Sequence, residues 1–389
     1  MGPFLASSQS CPSARPASPT DSSPGEAIST VQPGLSIIVG VDTHKDTHVA
    51  VAIDSLGRRL AQLEVSTTTR GYRQLHEWAL DLGPSAGFGI EGTGSYGAGL
   101  TRQLRLAGAH VIEVNRPDRA RRHRLGKSDP IDAESAARAI LAGVATATPK
   151  HGDDQVEMIR ILKLTRDSAV KSQTQASNQV HAVLVTAPPE LREALQPLRR
   201  IDLLHHCAAL RPGELSTPTA VSKHALRLLA KRALTLRAEA KSLNAEIDRL
   251  TTLTCPALVE MTGIGPDSAA ALLISAGDNH QRLRSEAAFA ALCGTNPIPA
   301  SSGKTSRHRL NRGGDRRANA ALHRAVVTRM RWHEATKTYV QRRTAEGKTK
   351  PEIMRCLKRY LARQVYRALL LDPAVETVVN AGEDTPQAA

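Results

Sequence analysis

Four acidic residues in this chain could together perform phosphoryl-transfer chemistry. Asp42 closes the apolar run Ile37–Val41, and Glu91 closes the short run Gly87–Ile90. Asp129 and Asp132 open a predicted helix, with Pro130 in its first turn. An ionised carboxylate at the end of a buried strand is costly to desolvate without a partner or a metal. Taken singly, Asp42 reads as a turn residue and the other pair as helix caps favoured by the dipole. Taken together, the set reaches strand ends and a helix start from three chain positions, which capping does not explain. Such acids would hold one or two Mg²⁺ ions, hard cations that take oxygen ligands and substrate phosphates. Two metals about 4 Å apart clamp the attacking and leaving oxygens of a phosphoryl transfer.

A hydroxyl in the C-terminal half could supply a nucleophile. Ser302 precedes Gly303 and Lys304, and Arg307, His308, Arg309, Arg312, Arg316 and Arg317 follow. Cations around a serine would stabilise charge on a transferring phosphoryl group. On this segment alone, Ser302 reads equally as a hydroxyl on a polar turn.

The elements that must position these groups follow from periodicity. Ile37–Asp54 reads as a hairpin of two strands, Leu60–Val65 as a third strand, and Thr69–Leu82 as a helix with Tyr72, Leu75 and Ala79 on one face. A strand ending at Glu91 then leads through a Gly-rich turn into a helix, and Ala109–Val114 is a further strand. This order predicts a mixed α/β sheet that brings the acid-bearing ends to one rim. Met1–Gly34, rich in Ser, Pro and Ala, is expected to be disordered and lacks the features of a signal peptide.

Charge names the class of partner. Lys and Arg number 52 against 37 Asp and Glu in 389 residues, a net charge of +15, so a polyanion is expected and nucleic acid before membrane. Arg116, Arg119, Arg121, Arg122, Arg124 and Lys127 form the densest basic run and lead directly to Asp129. At 3% aromatic content the chain is not built mainly to stack single-stranded bases. No apolar run is long enough to span a bilayer. The five scattered cysteines form no Cys-x-x-Cys pair, which points to a reducing compartment and no zinc knuckle; His205-His206-Cys207 reads as incidental.

The rest of the chain is predicted to be helical. Leu226, Leu229, Ala233, Leu236, Ala240, Leu243, Ile247 and Leu250 make a three-four alternation expected to form a coiled coil at a dimer interface. Val156–Val185 is an earlier helix, Pro188-Pro189 a break, and Ile201–Thr219 is expected to be a loop. Met261–Ala269 resembles a helix-hairpin-helix, whose turn amides at Gly263 and Gly265 would face a phosphate. Boundaries are expected near residues 35, 150, 252 and 340, separating leader, α/β domain, helical middle, mostly α domain with the serine, and a C-terminal helix and tail.

Four motifs in order carry a specific resemblance: Val41-Asp42-Thr43-His44-Lys45, Ile90-Glu91-Gly92-Thr93-Gly94-Ser95-Tyr96, Lys127-Ser128-Asp129-Pro130-Ile131-Asp132-Ala133 and Pro299-Ala300-Ser301-Ser302-Gly303-Lys304. Over about residues 36 to 335 the chain resembles the bacterial transposases of the insertion sequence 110/116/902 family. The resemblance implies a ribonuclease-H-like (RuvC-like) domain whose DEDD set maps onto Asp42, Glu91, Asp129 and Asp132. It implies a C-terminal transposase domain whose nucleophilic serine maps onto Ser302, with Ser301 beside it. It further implies Mg²⁺, donor and target duplex DNA, a structured bridge RNA as guide, and a dimer of dimers in which the acids of one protomer meet the serine of another. The bacterial cytoplasm is the expected setting. Lys304, Arg307, Arg309 and Arg312 are expected on nucleic acid.

Three other readings compete. Sugar kinases and chaperone ATPases carry a first-strand Asp and Gly-Thr-Gly turns, but the basic charge and the lack of a second phosphate loop speak against them. A metal-dependent RuvC-like nuclease without serine chemistry would need only the acids. A non-enzymatic DNA-binding protein would gain nothing from four acids that repel phosphate unless a metal neutralises them.

Overall fold

The computed structural model describes residues 36–83, 86–115, 128–302 and 308–370. The leader, the basic run Arg116–Lys127, and Lys304 and Arg307 lie outside the described residues.

The N-terminal region runs β1 (Ile37–Thr43), β2 (Thr47–Asp54), β3 (Arg59–Ser66), α1 (Thr69–Leu82), β4 (Ala86–Glu91), α2 (Ala98–Leu106), β5 (His110–Val114) and α3 (Asp129–Leu141). The five strands form one sheet in the order β3-β2-β1-β4-β5. β1, β2 and β3 are an antiparallel meander, whereas β1, β4 and β5 run parallel. This mixed sheet with its helices fits a ribonuclease-H-like DEDD domain.

Alternation along β1 and β4 sorts residues between the two faces. Val39, Val41, Phe88 and Ile90 pack with Leu75, Ala79, Leu100 and Leu104 of α1 and α2. Ile38 packs on the opposite face with Ala133, Ala136, Ala137 and Ile140 of α3. Gly40 and Gly89, paired in register, share that second face. A Cβ at Gly40 would stand 1.9 Å from the Ala133 carbonyl oxygen and 2.4 Å from the Ala137 nitrogen. At Gly89 it would stand 2.7 Å from Ile140 Cδ1 and 3.2 Å from the Ala136 oxygen. The small residues of α3 thus let helix backbone rest directly on strand backbone.

Two long helices follow, α4 (Gln155–Thr186) and α7 (Pro218–Thr254), with α5 (Pro189–Leu195) and α6 (Arg200–Ala209) between them. Thr254 Oγ1 donates to Gln155 Oε1 at one end, and Arg166 Nε donates to Asn244 further along, so α4 and α7 are antiparallel. The heptad seam of α7 is therefore filled within the chain: Leu226, Ala230 and Ala233 pack with Ala176, Val180 and Leu184 of α4. The segment expected as a loop over Ile201–Thr219 begins as helix α6. Its Leu203, Leu204 and Cys207 are buried in the same cluster, an apolar spacing interrupted in sequence by His205-His206.

The C-terminal region contains α8 (Pro256–Val259), α9 (Pro266–Ala276), α10 (Glu286–Leu292), the ribbon β6 (Ile298–Pro299) with β7 (His308–Arg309), α11 (Arg316–Trp332), α12 (Glu334–Ala345) and α13 (Lys350–Leu370). α9 is buried nearly all round, in a core with Phe289, Leu322 and Val365. Side chains fasten this region to the α/β domain by taking carbonyl oxygens of the intervening segment. Asn279 Nδ2 donates to Pro149, Arg282 Nε to Thr148 and Arg284 Nη2 to Thr146. Among the described residues, no helix is long and apolar enough to cross a membrane.

Candidate active site

Asp42 and Glu91 each stand two residues beyond a glycine of the Gly40–Gly89 pair, on parallel neighbours, so both emerge at one edge beside α3. The Thr43 hydroxyl donates to the Glu91 carbonyl oxygen at 2.9 Å and ties the two strand ends together. Gly92 then turns the chain away with φ +70, a conformation that favours glycine, and its carbonyl accepts from the Ser95 and Gly97 amides.

The start of α3 faces this edge. Ser128 occupies the cap position, its carbonyl accepting from the Asp132 amide at 3.0 Å, and Asp129 and Asp132 lie in the first turn. Asp132 is buried, whereas Asp129 is about half exposed. The Gly40 contact sets this turn over Asp42, since helix and strand meet without a side chain between them.

His44 completes the cluster. Its Nε2 lies 3.2 Å from Asp42 Oδ2 and 3.3 Å from Asp129 Oδ1. One ligand atom from each of Asp42, His44 and Asp129 falls within 4.8 Å of the others, the geometry of a cation site. Burial pushes the Asp42 carboxyl above its ordinary value; His44 lowers it, while the charges of Asp132 and Asp129 raise it again. Several carboxylates crowded at a half-buried rim, one of them disfavoured in its ionised form, suit a divalent cation with oxygen ligands.

The sequence pattern therefore places Asp42, Asp129 and Asp132 within electrostatic reach of one another, and Glu91 on the adjoining strand end. His44 was not anticipated as a site residue. Its signal was present in the spacing Asp42-Thr43-His44, because residues two apart on an extended chain face the same side.

Ser302 is elsewhere. It is exposed and lies between β6 and β7 in the chain. Among the described residues, no hydrogen bond joins it to the four acids. Arg309 on β7 and Arg312 beyond it are exposed. At the predicted helix-hairpin-helix, the first helix, α8, is a single turn. Gly263 has φ +86, and a Cβ there would stand 2.8 Å from the Ala325 oxygen, so its glycine serves the packing of the turn on α11. Gly265 is exposed and occupies the cap position of α9.

Comparison with known proteins agrees with this geometry. A family model for DEDD-type IS110 transposases matches residues 39–189, which include all four acids. A second, described as transposase IS116/IS110/IS902 family, matches residues 255–341, which include Ser302. A protein of Streptomyces coelicolor assigned as the mini-circle transposase for IS117 is 23% identical over 326 residues, covering 69% of this chain and 78% of that one. An uncharacterised 43.6 kDa protein of insertion element IS110 from the same organism is 32% identical over 135 residues, 34% of this chain and 33% of its own. With both family models in chain order, one over the acid-bearing sheet and one over the serine-bearing ribbon, the chain belongs to the IS116/IS110/IS902 family of transposases.

Proposed function

We propose that this transposase cuts and rejoins DNA strands with a divalent-metal carboxylate site and a serine nucleophile. The observation that carries the reading is the convergence of Asp42, His44 and Asp129 where two parallel strands end beneath a helix start. Asp42, Glu91, Asp129 and Asp132 would hold Mg²⁺, with His44 against the same oxygens. Bound there, the metal supplies neutralisation of phosphate charge and a lowered pKa for a coordinated hydroxyl.

In the proposed exchange, Ser302 Oγ attacks a backbone phosphorus. The new Oγ–P ester replaces one P–O ester of the strand, and the serine proton leaves with the freed sugar hydroxyl. Attack by a sugar hydroxyl of another strand reverses the bond change and restores the serine, so no further reactant is consumed. The guanidinium groups of Arg309 and Arg312 offer donors that can stabilise charge but no acceptor to serve as a base. Because nothing described joins Ser302 to the acids within the chain, a meeting between copies is the arrangement we favour, in a dimer or dimer of dimers. In this reading the basic segments, with the amides of Gly263 and Gly265, hold duplex DNA and a structured bridge RNA that selects donor and target. The test is incubation of the full chain with DNA and Mg²⁺, followed by mass spectrometry. A phosphodiester adduct on Ser302, absent with EDTA, is expected. An adduct on Ser301 or on a tyrosine, or cleavage without any adduct, would overturn the serine assignment.

A further inference from the structure

At the base of the ribbon that carries Ser302 lies a cleft of about 960 Å³. Pro297 and β7 form one wall, and the facing ends of α12 and α13 form the other. Its lining is strongly cationic: His308 and Arg309 from the ribbon side, Arg343 and Lys348 near the end of α12, and Arg355, Lys358, Arg359 and Arg363 from α13. Arg355, Arg359 and Arg363 recur every four residues and Lys358 stands three beyond Arg355, so one helix face presents them to the cleft.

Part of this charge is committed to the fold. Arg343 pairs with Glu346, Arg363 donates to Glu286 Oε2 at 2.7 Å, and Lys358 Nζ donates to Asn319 Oδ1 at 3.0 Å. Glu352, the one acid in the lining among the described residues, spends Oε2 on the amide and hydroxyl of Thr349 at the start of α13. Among the described residues, Lys348, Arg355 and Arg359 have no carboxylate within salt-bridging distance. Arg359 Nη1 and Arg343 Nε are moreover buried with no acceptor among the described residues. Buried donors are ordinarily satisfied, so these nitrogens call for an acceptor from outside. The charge of Glu352 reaches Lys348 and Arg355 without pairing with either at salt-bridge distance, so one carboxylate faces the whole cationic lining, and the excess calls for an anion as well. Burial, and then the neighbouring Arg355, already weaken the hold of Lys358 on its proton. Tyr360 is about half exposed in the same wall and offers a ring edge or face to a base.

We propose that this cleft is the channel that holds the backbone of the DNA strand presented to Ser302, a reading that rests on the proposed serine chemistry. The occupant is identified by charge and continuity. Phosphates match the uncommitted guanidinium and ammonium groups, and β6 and β7, which flank the serine in the chain, also form or adjoin the cleft wall. A strand held along β7 therefore lies beside the α13 cations that form the facing wall.

The test measures DNA binding by the full-length chain carrying Ser302→Ala, so that covalent trapping plays no part. Single-stranded DNA, the same sequence as duplex, and the same sequence as RNA are titrated over a range of salt. Arg355→Ala with Arg359→Ala should weaken single-strand binding by roughly ten- to a hundred-fold. It should also flatten the slope of log affinity against log salt by about 1.4, two phosphates' worth. The Arg355→Lys, Arg359→Lys variant should keep most of the slope, which a merely structural role would not predict. If the alanine variant fails to fold, Lys348→Ala, on an exposed side chain, is read instead and should flatten the slope by about 0.7. An unchanged slope for DNA, or a loss confined to RNA, overturns the proposal. The two readings fail separately: a covalent adduct with an unmoved slope leaves the serine chemistry standing without this channel. A moved slope with no adduct leaves the channel without that chemistry.

Discussion

His44 Nε2 lies 3.3 Å from Asp129 Oδ1, so the turn after β1 and the first residue of α3 close on a single point. The imidazole also reaches Asp42, and it therefore spans two of the four acids in a place suited to a cation. His44→Ala should accordingly weaken divalent-metal affinity by about 10- to 100-fold while leaving the fold intact. Calorimetric titration with Mn²⁺ or Mg²⁺ checks this, and unchanged affinity would remove His44 from the site.

Asp42→Asn should abolish metal-dependent cleavage without costing stability. Burial raises the Asp42 carboxyl, so its ionised form is disfavoured in the folded state, and its contribution to stability falls as pH rises from 3.8 through the folded value. At neutral pH in EDTA the variant should melt no lower than the parent. Added Mg²⁺ should raise the parent's melting temperature and leave the variant's unmoved. A variant that melts well below the parent in EDTA would contradict the assignment of Asp42 as a carboxylate whose ionised form the fold disfavours.

Asp267 should behave oppositely. Its burial would raise the carboxyl, but the hydrogen bond and charge of Lys163, with Arg166 and Arg324, outweigh that and hold it below the ordinary value. The stability it contributes is complete above the unfolded value and is lost as pH falls through the folded one. Lys163 is nearly fully buried, and its Nζ lies 2.5 Å from Asp267 Oδ1. Asp267→Asn should therefore cost roughly 2–3 kcal/mol at pH 7, less than a fully buried pair because Asp267 is partly exposed. The penalty should shrink in acid, as measured by urea unfolding across pH.

Leu236→Glu with Leu243→Glu should loosen the α4–α7 hairpin rather than merely divide an oligomer. These half-buried leucines continue the seam that α4 covers. A clear drop in melting temperature by circular dichroism is expected. A change of mass by light scattering with an unaltered melt would instead place the seam between copies.

Much of the site was legible from residue type alone. Asp42 and Glu91 ended apolar runs, Asp129 and Asp132 lay either side of Pro130 behind Ser128, and both expectations match the strand ends and helix start of the structure. The repeated phrase Gly40-Val41-Asp42 and Gly89-Ile90-Glu91 carried more than was taken from it. In each, an acid follows by two the glycine that admits α3, so one strand face both seats the helix and delivers the carboxylate. The partner of the α7 seam was not legible, because a heptad records that a face is covered and not whether the cover is the same chain. The α13 cations escaped for a related reason: spacing puts them on one face, but only packing against the Ser302 ribbon turns that face into a cleft.

The glycine contact between β1 and α3 also has a genetic consequence. The relative placement of Asp42 and Asp132 depends on where strand and helix touch at Gly40, where no side chain larger than a hydrogen fits between the two backbones. Gly40→Ala, a single methyl group, should therefore be among the least tolerated changes in the domain, because moving α3 off the strand moves two acids away from the third.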